Sequence, residues 1–223
     1  MIFANRKSAG VQLARALARF RDQDPIVLAL PRGGVPVGFE IARALHAPLD
    51  LILVRKVGAP MQPELAVGAV VDGEQMQLVV NDDVVAELGL SERWIRGEAA
   101  RQLEEIERRR RLYLAGRKRV PVEGKTAIVV DDGIATGATT RAALRAVRTR
   151  HPKHLVLAVP VAPPETIEAL GTEVDEVVCL ATPSPFGAIG FFYDDFRQLE
   201  DQEVRDLLAR SAEPGPTERD DET

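Results

Sequence analysis

The chain has 223 residues, with 34 acidic side chains against 29 Lys and Arg and a net charge of −5. That length holds one sizeable α/β domain with a small appended lobe, and that charge argues against a nucleic-acid binder driven by bulk attraction. The lone cysteine, Cys179, excludes an intramolecular disulfide framework and fits a reducing cytosol.

The amino terminus meets Arg6 and Lys7 before any apolar signal core can build, and no stretch approaches the roughly 18 apolar residues of a membrane helix. A cytoplasmic protein without membrane partners is expected. The opening helix carries Leu13, Ala16, Leu17 and Phe20 on one face. A strand over 26–30 leads to the turn Pro31-Arg32-Gly33-Gly34 and a helix with Val37, Ile41 and Leu45 inward. A second strand over 49–54 runs into Arg55-Lys56 and a loop containing Gly58 and Pro60. Residues 66–71 and 75–80 flank Asp72-Gly73, a strong hairpin signal.

A helical segment follows over about 91–114. Between Arg93 and Arg119 it holds ten basic against four acidic residues, while Ile95, Ala99, Leu103 and Ile106 keep helical spacing. Such charge runs are usually solvated faces; a homodimer contact or a basic lip over a polyphosphate are the sharper alternatives. Next come strands over 127–130, 155–161 and 176–180, with helices after the first two, the second of them short and following Pro164. Cys179 lies in the last strand, where a structural role outweighs a nucleophilic one. An aromatic-rich block and a helix with Val204, Leu207 and Leu208 inward close the fold. The tail over 212–223, rich in Pro and acids, is expected to be disordered. Strands alternating with helices call for a parallel sheet with ligands at the strand carboxyl ends.

The most informative segment is Thr126-Ala-Ile-Val-Val-Asp131-Asp132-Gly133-Ile-Ala135-Thr136-Gly137-Ala138-Thr139-Thr140. An unbroken β-branched run suits a strand buried on both faces. Beyond the small-residue loop a helix begins, with Leu144 and Val147 opposite Arg141, Arg145 and Arg148. Helix amino termini offer unpaired N–H groups and partial positive charge, so the loop from Ala135 to Thr140 can cradle a phosphate. Asp131 and Asp132 cannot serve that phosphate. They are acceptors, suited to two vicinal hydroxyls or to a hydrated Mg²⁺. Together these features describe a ribose 5-phosphate pocket.

This segment resembles the binding signature of the type I phosphoribosyltransferases: an apolar strand, two acids, three small residues, then Thr-Gly-x-Thr. The resemblance implies a flavodoxin-like parallel-sheet core, a flap hairpin over about 55–80, a helical insertion over about 81–119 and a small hood over about 181–211. It implies Mg²⁺-dependent transfer of a 5-phosphoribosyl group from phosphoribosyl pyrophosphate to a nitrogen acceptor, a nucleobase by preference. Asp131 and Asp132 would hold the ribose diol and, directly or through water, the metal. Ala135, Thr136, Gly137, Ala138, Thr139 and Thr140 would hold the 5-phosphate, with Gly133 a further contact to phosphoribosyl pyrophosphate. In this family the turn equivalent to Arg32-Gly33-Gly34 binds pyrophosphate and often contains a cis peptide, for which Leu30–Pro31 is the candidate. Two glycines also bring bare N–H groups close, and Arg32 adds a forked cation.

Arg55-Lys56-Val-Gly-Ala-Pro60 resembles the start of the mobile catalytic hairpin in adenine-type members. A closing flap would exclude water from an oxocarbenium-like ribosyl cation and bring Arg55 and Lys56 to the departing pyrophosphate. The block from Pro185 to Arg197 resembles the hood of 6-oxopurine members, with Ile189-Gly190-Phe191 and Asp194 in register. Gly187 stands where a stacking ring is expected, Phe186 lies one residue off and Asp195 replaces an aromatic. Phe186, Ile189, Phe191 and Asp194 are the acceptor-binding candidates, and a mini-core beneath the hood is the equal alternative for the rings. A regulator that senses phosphoribosyl pyrophosphate without turnover is the rival reading.

Overall fold

In chain order the elements are α1 (Arg6–Ala16), β1 (Pro25–Ala29), α2 (Gly34–Leu45), β2 (Leu49–Leu51), β3 (Val54–Ala59), β4 (Gln62–Val71) and β5 (Gln77–Val80). There follow α3 (Asp82–Leu88), α4 (Glu92–Leu114), β6 (Thr126–Val130), α5 (Ala138–Arg148), β7 (His154–Val161), α6 (Pro164–Gly171), β8 (Glu176–Ala181) and α7 (Asp201–Ser211). This computed structural model describes residues 2–72, 77–114 and 116–211, without the side chains of 63 and 64. The Asp72-Gly73 turn beyond residue 72 and the acidic tail lie outside the described residues.

Five strands form an all-parallel sheet in the order β2-β1-β6-β7-β8. Every residue of β1 and β6 is buried, as an apolar run covered on both faces requires. After β1 the chain crosses to β2 on one side, and after β6 it crosses to β7 on the other. The crevice of an open α/β sheet therefore falls between the carboxyl ends of β1 and β6. Ala29 pairs with Val130, which brings Leu30 beside Asp131.

The opening helix is shorter than its apolar pattern. It starts with a capping box between Asn5 and Ser8 and ends at Ala16, while Leu17 and Phe20 are buried around a 3₁₀ turn, Ala18–Phe20. The strand expected over 49–54 divides. β2 stops at Leu51, and Val54 opens a separate three-stranded antiparallel sheet, β3-β4-β5. Arg55 and Lys56 consequently sit inside a strand rather than in a loop after one. The hairpin pairing of β4 with β5 is present, but a second hairpin, from β3 into β4, carries the exposed tip at Met61.

This small sheet is packed on both faces. Val57, Val67 and Val70 join Ile95, Ala99 and Ile106 of α4 in one apolar cluster. Ala69 and Val71 join Ala142, Leu144 and Val147 of α5 in another. The alternation of burial follows from the period of two along a strand. The expected flap is therefore a wedge held between two helices, with its β3–β4 tip exposed at Met61.

Candidate functional site

The loop between β6 and α5 is tethered from below. Ile134 N–H donates to Val161 O at 3.0 Å, and the Thr166 hydroxyl of α6 donates to Ala135 O at 2.8 Å. Gly137 adopts φ 77°, a left-handed conformation that glycine accepts without a Cβ penalty, and turns the chain into α5. No side chain caps that helix, so its first N–H groups keep their full capacity for an anion. Ala135, Thr136, Ala138 and Thr139 are exposed at the rim, whereas Thr140 is buried.

At the end of β6 the two acids differ. Asp132 is buried and receives the Arg6 guanidinium, Nε to Oδ2 at 2.7 Å. Asp131 keeps part of its surface open within a deep recess. Burial first, and then the neighbouring Asp132 charge, hold the Asp131 carboxyl well above the ordinary aspartate range. Burial also raises Asp132, but Arg6 opposes that shift. Asp132 thus has a cation of its own, whereas Asp131 accepts the Asp132 N–H at 2.9 Å.

The turn after β1 packs directly on the acids. A Cβ on Gly33 would lie 2.1 Å from Asp132 Oδ2, and one on Gly34 would lie 2.6 Å from Val130 O. Glycine is needed here for close approach. Gly33 itself has φ −61°, which any residue can adopt. The cis peptide bond in this turn is Pro31–Arg32, one residue beyond the expected Leu30–Pro31. Arg32 leans toward Asp201, at 3.9 Å.

Arg55 and Lys56 diverge because successive strand residues face opposite sides. Arg55 lines a 60 Å³ recess with Pro31, Asp131, Thr139 and, from α4, Ile106 and Arg109. Lys56 lines a 590 Å³ cavity with Thr136, Thr139 and Arg141 on one wall and Asp82 and Asp83 on another. The two residues do not converge on one point.

The hood is a small core of its own. Phe186 and Phe192 stand 5.1 Å apart, Tyr193 stacks on Phe196 at 5.0 Å, and Phe3 reaches Tyr193 at 5.4 Å. Phe186 is thereby committed to packing. Ile189 presses on the site, close enough that a Cβ on Gly133 would meet its Cγ2 at 2.5 Å. Phe191 lies 71% exposed, and Asp194 is exposed. The Cys179 thiol, half-buried in β8, is pushed up by burial and donates to Ala181 O, which suits a structural role.

Three contributors were not read from the sequence. Arg6 holds Asp132, the Tyr193 hydroxyl donates to Asp132 O at 2.5 Å, and Thr166 pins the loop between β6 and α5. The amino-terminal residues also knit into the hood, Phe3 N–H to Phe192 O at 3.0 Å and Asp194 N–H to Phe3 O at 2.9 Å. Among the described residues no helix is long and apolar enough to cross a membrane.

Residues 5–195 match the model of the phosphoribosyl transferase domain. A Mycobacterium tuberculosis H37Rv protein, provisionally named phosphoribosyl transferase Rv0571c, is 47% identical over 210 residues. The match takes in 94% of this chain but 47% of that protein, so the chain spans about half the length of the curated relatives it matches. The crystal structure of TT1426 from Thermus thermophilus is 42% identical with a TM-score of 0.85, covering 96% of this chain and 100% of that one. The AQ2163 protein from Aquifex aeolicus, 12% identical with a TM-score of 0.51 over 91% of this chain and 84% of its own, shares the fold alone.

Proposed function

The chain belongs to the phosphoribosyltransferase family, and we propose that it transfers a 5-phosphoribosyl group from phosphoribosyl pyrophosphate to a nitrogen acceptor of nucleobase type, releasing pyrophosphate. The observation that carries this reading is the contact of the Gly33-Gly34 turn with the Asp131-Asp132 pair, beside an uncapped helix amino terminus. A pyrophosphate on the turn, a diol on the acids and a phosphate on α5 then belong to one molecule.

Asp131 and Asp132 accept hydrogen bonds from the ribose hydroxyls. The N–H groups at the start of α5, with the Thr136 and Thr139 hydroxyls, hold the 5-phosphate. Arg32, the backbone N–H of Gly33, and Arg55 hold the pyrophosphate and balance the charge that grows on it as the C1–O bond breaks. The Gly34 N–H, which donates to Leu30 O at 2.9 Å, shapes the turn. Lys56 approaches from the 5-phosphate side and orients that end of the sugar. Ile189 and Phe191 border the acceptor, with Phe191 offering the exposed ring. Asp194 is the nearest reading of a general base.

The donor set fits Mg²⁺. Two adjacent carboxylates, one of them matched by Arg6, leave Asp131 to bring a hard oxygen to a cation, and Mg²⁺ typically completes its shell with water and substrate oxygens. When bound, the ion supplies charge neutralisation at the departing oxygens. A clamped β3–β5 wedge also favours a second reading, a sensor that binds phosphoribosyl pyrophosphate without turnover.

Pyrophosphate release measured with Mg²⁺ across a panel of purine and pyrimidine bases tests the proposal. Release with one base, lost in Asp131→Asn with Asp132→Asn, is the expected result. Binding without release on any base would support the sensor, and no uptake of phosphoribosyl pyrophosphate by calorimetry would end both readings.

A further inference from the structure

The face of α4 that meets the rest of the protein runs Ile95, Ala99, Gln102, Ile106, Arg109, Tyr113, a spacing of four and three residues throughout. Ile95, Ala99, Ile106 and Tyr113 are buried, as an inward stripe should be. Gln102 and Arg109 break its apolar character. Both lie against the site. Gln102 Oε1 accepts from Arg55 Nε at 3.3 Å, and Arg109 lines the recess shared by Pro31, Arg55 and Asp131.

Arg109 is held in place. Its Nε donates to Glu105 Oε1 at 2.9 Å, which leaves its terminal nitrogens for another partner. Its side chain is 29% exposed, against 58% for Arg108 and 74% for Arg111 on the solvated faces. The charged groups lining the recess are Arg55, Arg109 and Asp131; Arg32 and Asp201 pair with each other outside its lining, and Asp201 accepts from the Tyr113 hydroxyl at 2.5 Å. Two guanidiniums, from β3 and from α4, line the recess with the Asp131 carboxylate, Glu105 being taken by the Arg109 Nε, and a multiply charged phosphate ester is the ligand class that matches forked donors.

We propose that Arg109, carried into the site by α4, is a direct binding residue for the pyrophosphate group, with Gln102 positioning Arg55 for the same anion. The proposal rests on the phosphoribosyl reading for the identity of the donor, but its own content is a pyrophosphate contact that can be measured alone. It gives the Arg-rich insertion a purpose, since Arg109 reaches the site while Arg108 and Arg111 pair with Glu105 and Glu107 on the solvated faces.

The test is calorimetry of the full chain with inorganic pyrophosphate and, separately, with ribose 5-phosphate, at fixed ionic strength. Arg109→Ala should weaken pyrophosphate by at least about tenfold, the scale of a lost charge-assisted pair, and leave ribose 5-phosphate nearly unchanged. Arg109→Met, which keeps the apolar stem, should behave the same and guards against a folding defect. Arg110→Ala, an exposed neighbour of equal charge, should change neither. Undiminished pyrophosphate affinity in both Arg109 variants, an equal loss in Arg110→Ala, or no pyrophosphate binding by the wild type would overturn the proposal. Arg109-dependent pyrophosphate binding without any uptake of ribose 5-phosphate or phosphoribosyl pyrophosphate would sustain it while removing the phosphoribosyl reading.

Discussion

Arg6 Nε stands 2.7 Å from Asp132 Oδ2, so a residue at the first turn of α1 holds an acid 126 positions later in the chain. The same guanidinium lies 3.9 Å over the Phe196 ring and donates through Nη1 to Arg197 O at 2.9 Å. It thereby joins three parts: the amino terminus, the acid pair and the hood. The side chains of both partners are only 11% exposed, and at that burial removal of one partner strands the other charge.

Arg6→Ala should therefore destabilise the protein by about 3 kcal/mol at neutral pH. Without its cation the Asp132 carboxyl moves further toward the protonated form, so the deficit should shrink as pH falls. Urea denaturation at several pH values checks this. A loss below about 0.5 kcal/mol, the range of exposed pairs, would show that the bridge carries no structural weight.

Asp131 should behave in the opposite sense. Its folded pKa is raised above the unfolded value of about 3.9, so between the two the folded chain holds more protons than the unfolded one. Stability then falls as pH rises through that window, and the ionised carboxylate is a cost to the ligand-free protein. Asp131→Asn keeps an oxygen to accept the Asp132 N–H, which now donates at 2.9 Å. The variant should melt higher than wild type near about pH 8, with the difference vanishing near about pH 4. Equal melting temperatures at every pH would mean that Asp131 is well solvated.

What could be read from the sequence was local. β6, its loop and α5 form one continuous segment, and strand, turn and helix each leave a pattern within a few residues. The pairings that complete the site are not local. Thr166 reaches Ala135 across 31 positions and Tyr193 reaches Asp132 across 61. No periodicity records such contacts. The break between β2 and β3 was hidden because Ile52 and Leu53 are as apolar as the strands they separate and are buried too. α4 was different: the run of arginines masked a signal that was present, two polar residues at inward positions of a regular stripe.

Gly33→Ala tests how closely the turn after β1 must approach the acids. The added methyl would fall 2.1 Å from Oδ2 and 2.4 Å from Cγ of Asp132, so the carboxylate or the turn has to move. Affinity for phosphoribosyl pyrophosphate should drop by at least about tenfold, as expected where a preorganised charged contact is lost. Gly97→Ala is the counterpart. It lies within α4 with nothing within 4 Å of the new Cβ, and should stabilise by about 0.5–1 kcal/mol through helix propensity alone. Calorimetry and thermal melting on the pair separate the two effects, and unchanged affinity in Gly33→Ala would show that the turn can retreat without harm.

The divergence of Arg55 and Lys56 leads to a different partition of labour from that of two cations acting on one leaving group. In β3 they pair with Val70 and Ala69 and project to opposite faces, Arg55 toward Asp131 and Lys56 toward Thr136 and Thr139. Arg55→Ala should weaken inorganic pyrophosphate and spare ribose 5-phosphate, because the recess it leaves lies on the turn after β1. Lys56→Ala should do the reverse, because its cavity opens onto the start of α5. Each loss should be on the order of tenfold or more, as for a single charge-assisted hydrogen bond to phosphate. If both variants weaken pyrophosphate alone, the strand must twist or the wedge must move on binding to bring Lys56 across, and the clamp formed by α4 and α5 would have to open in the liganded state.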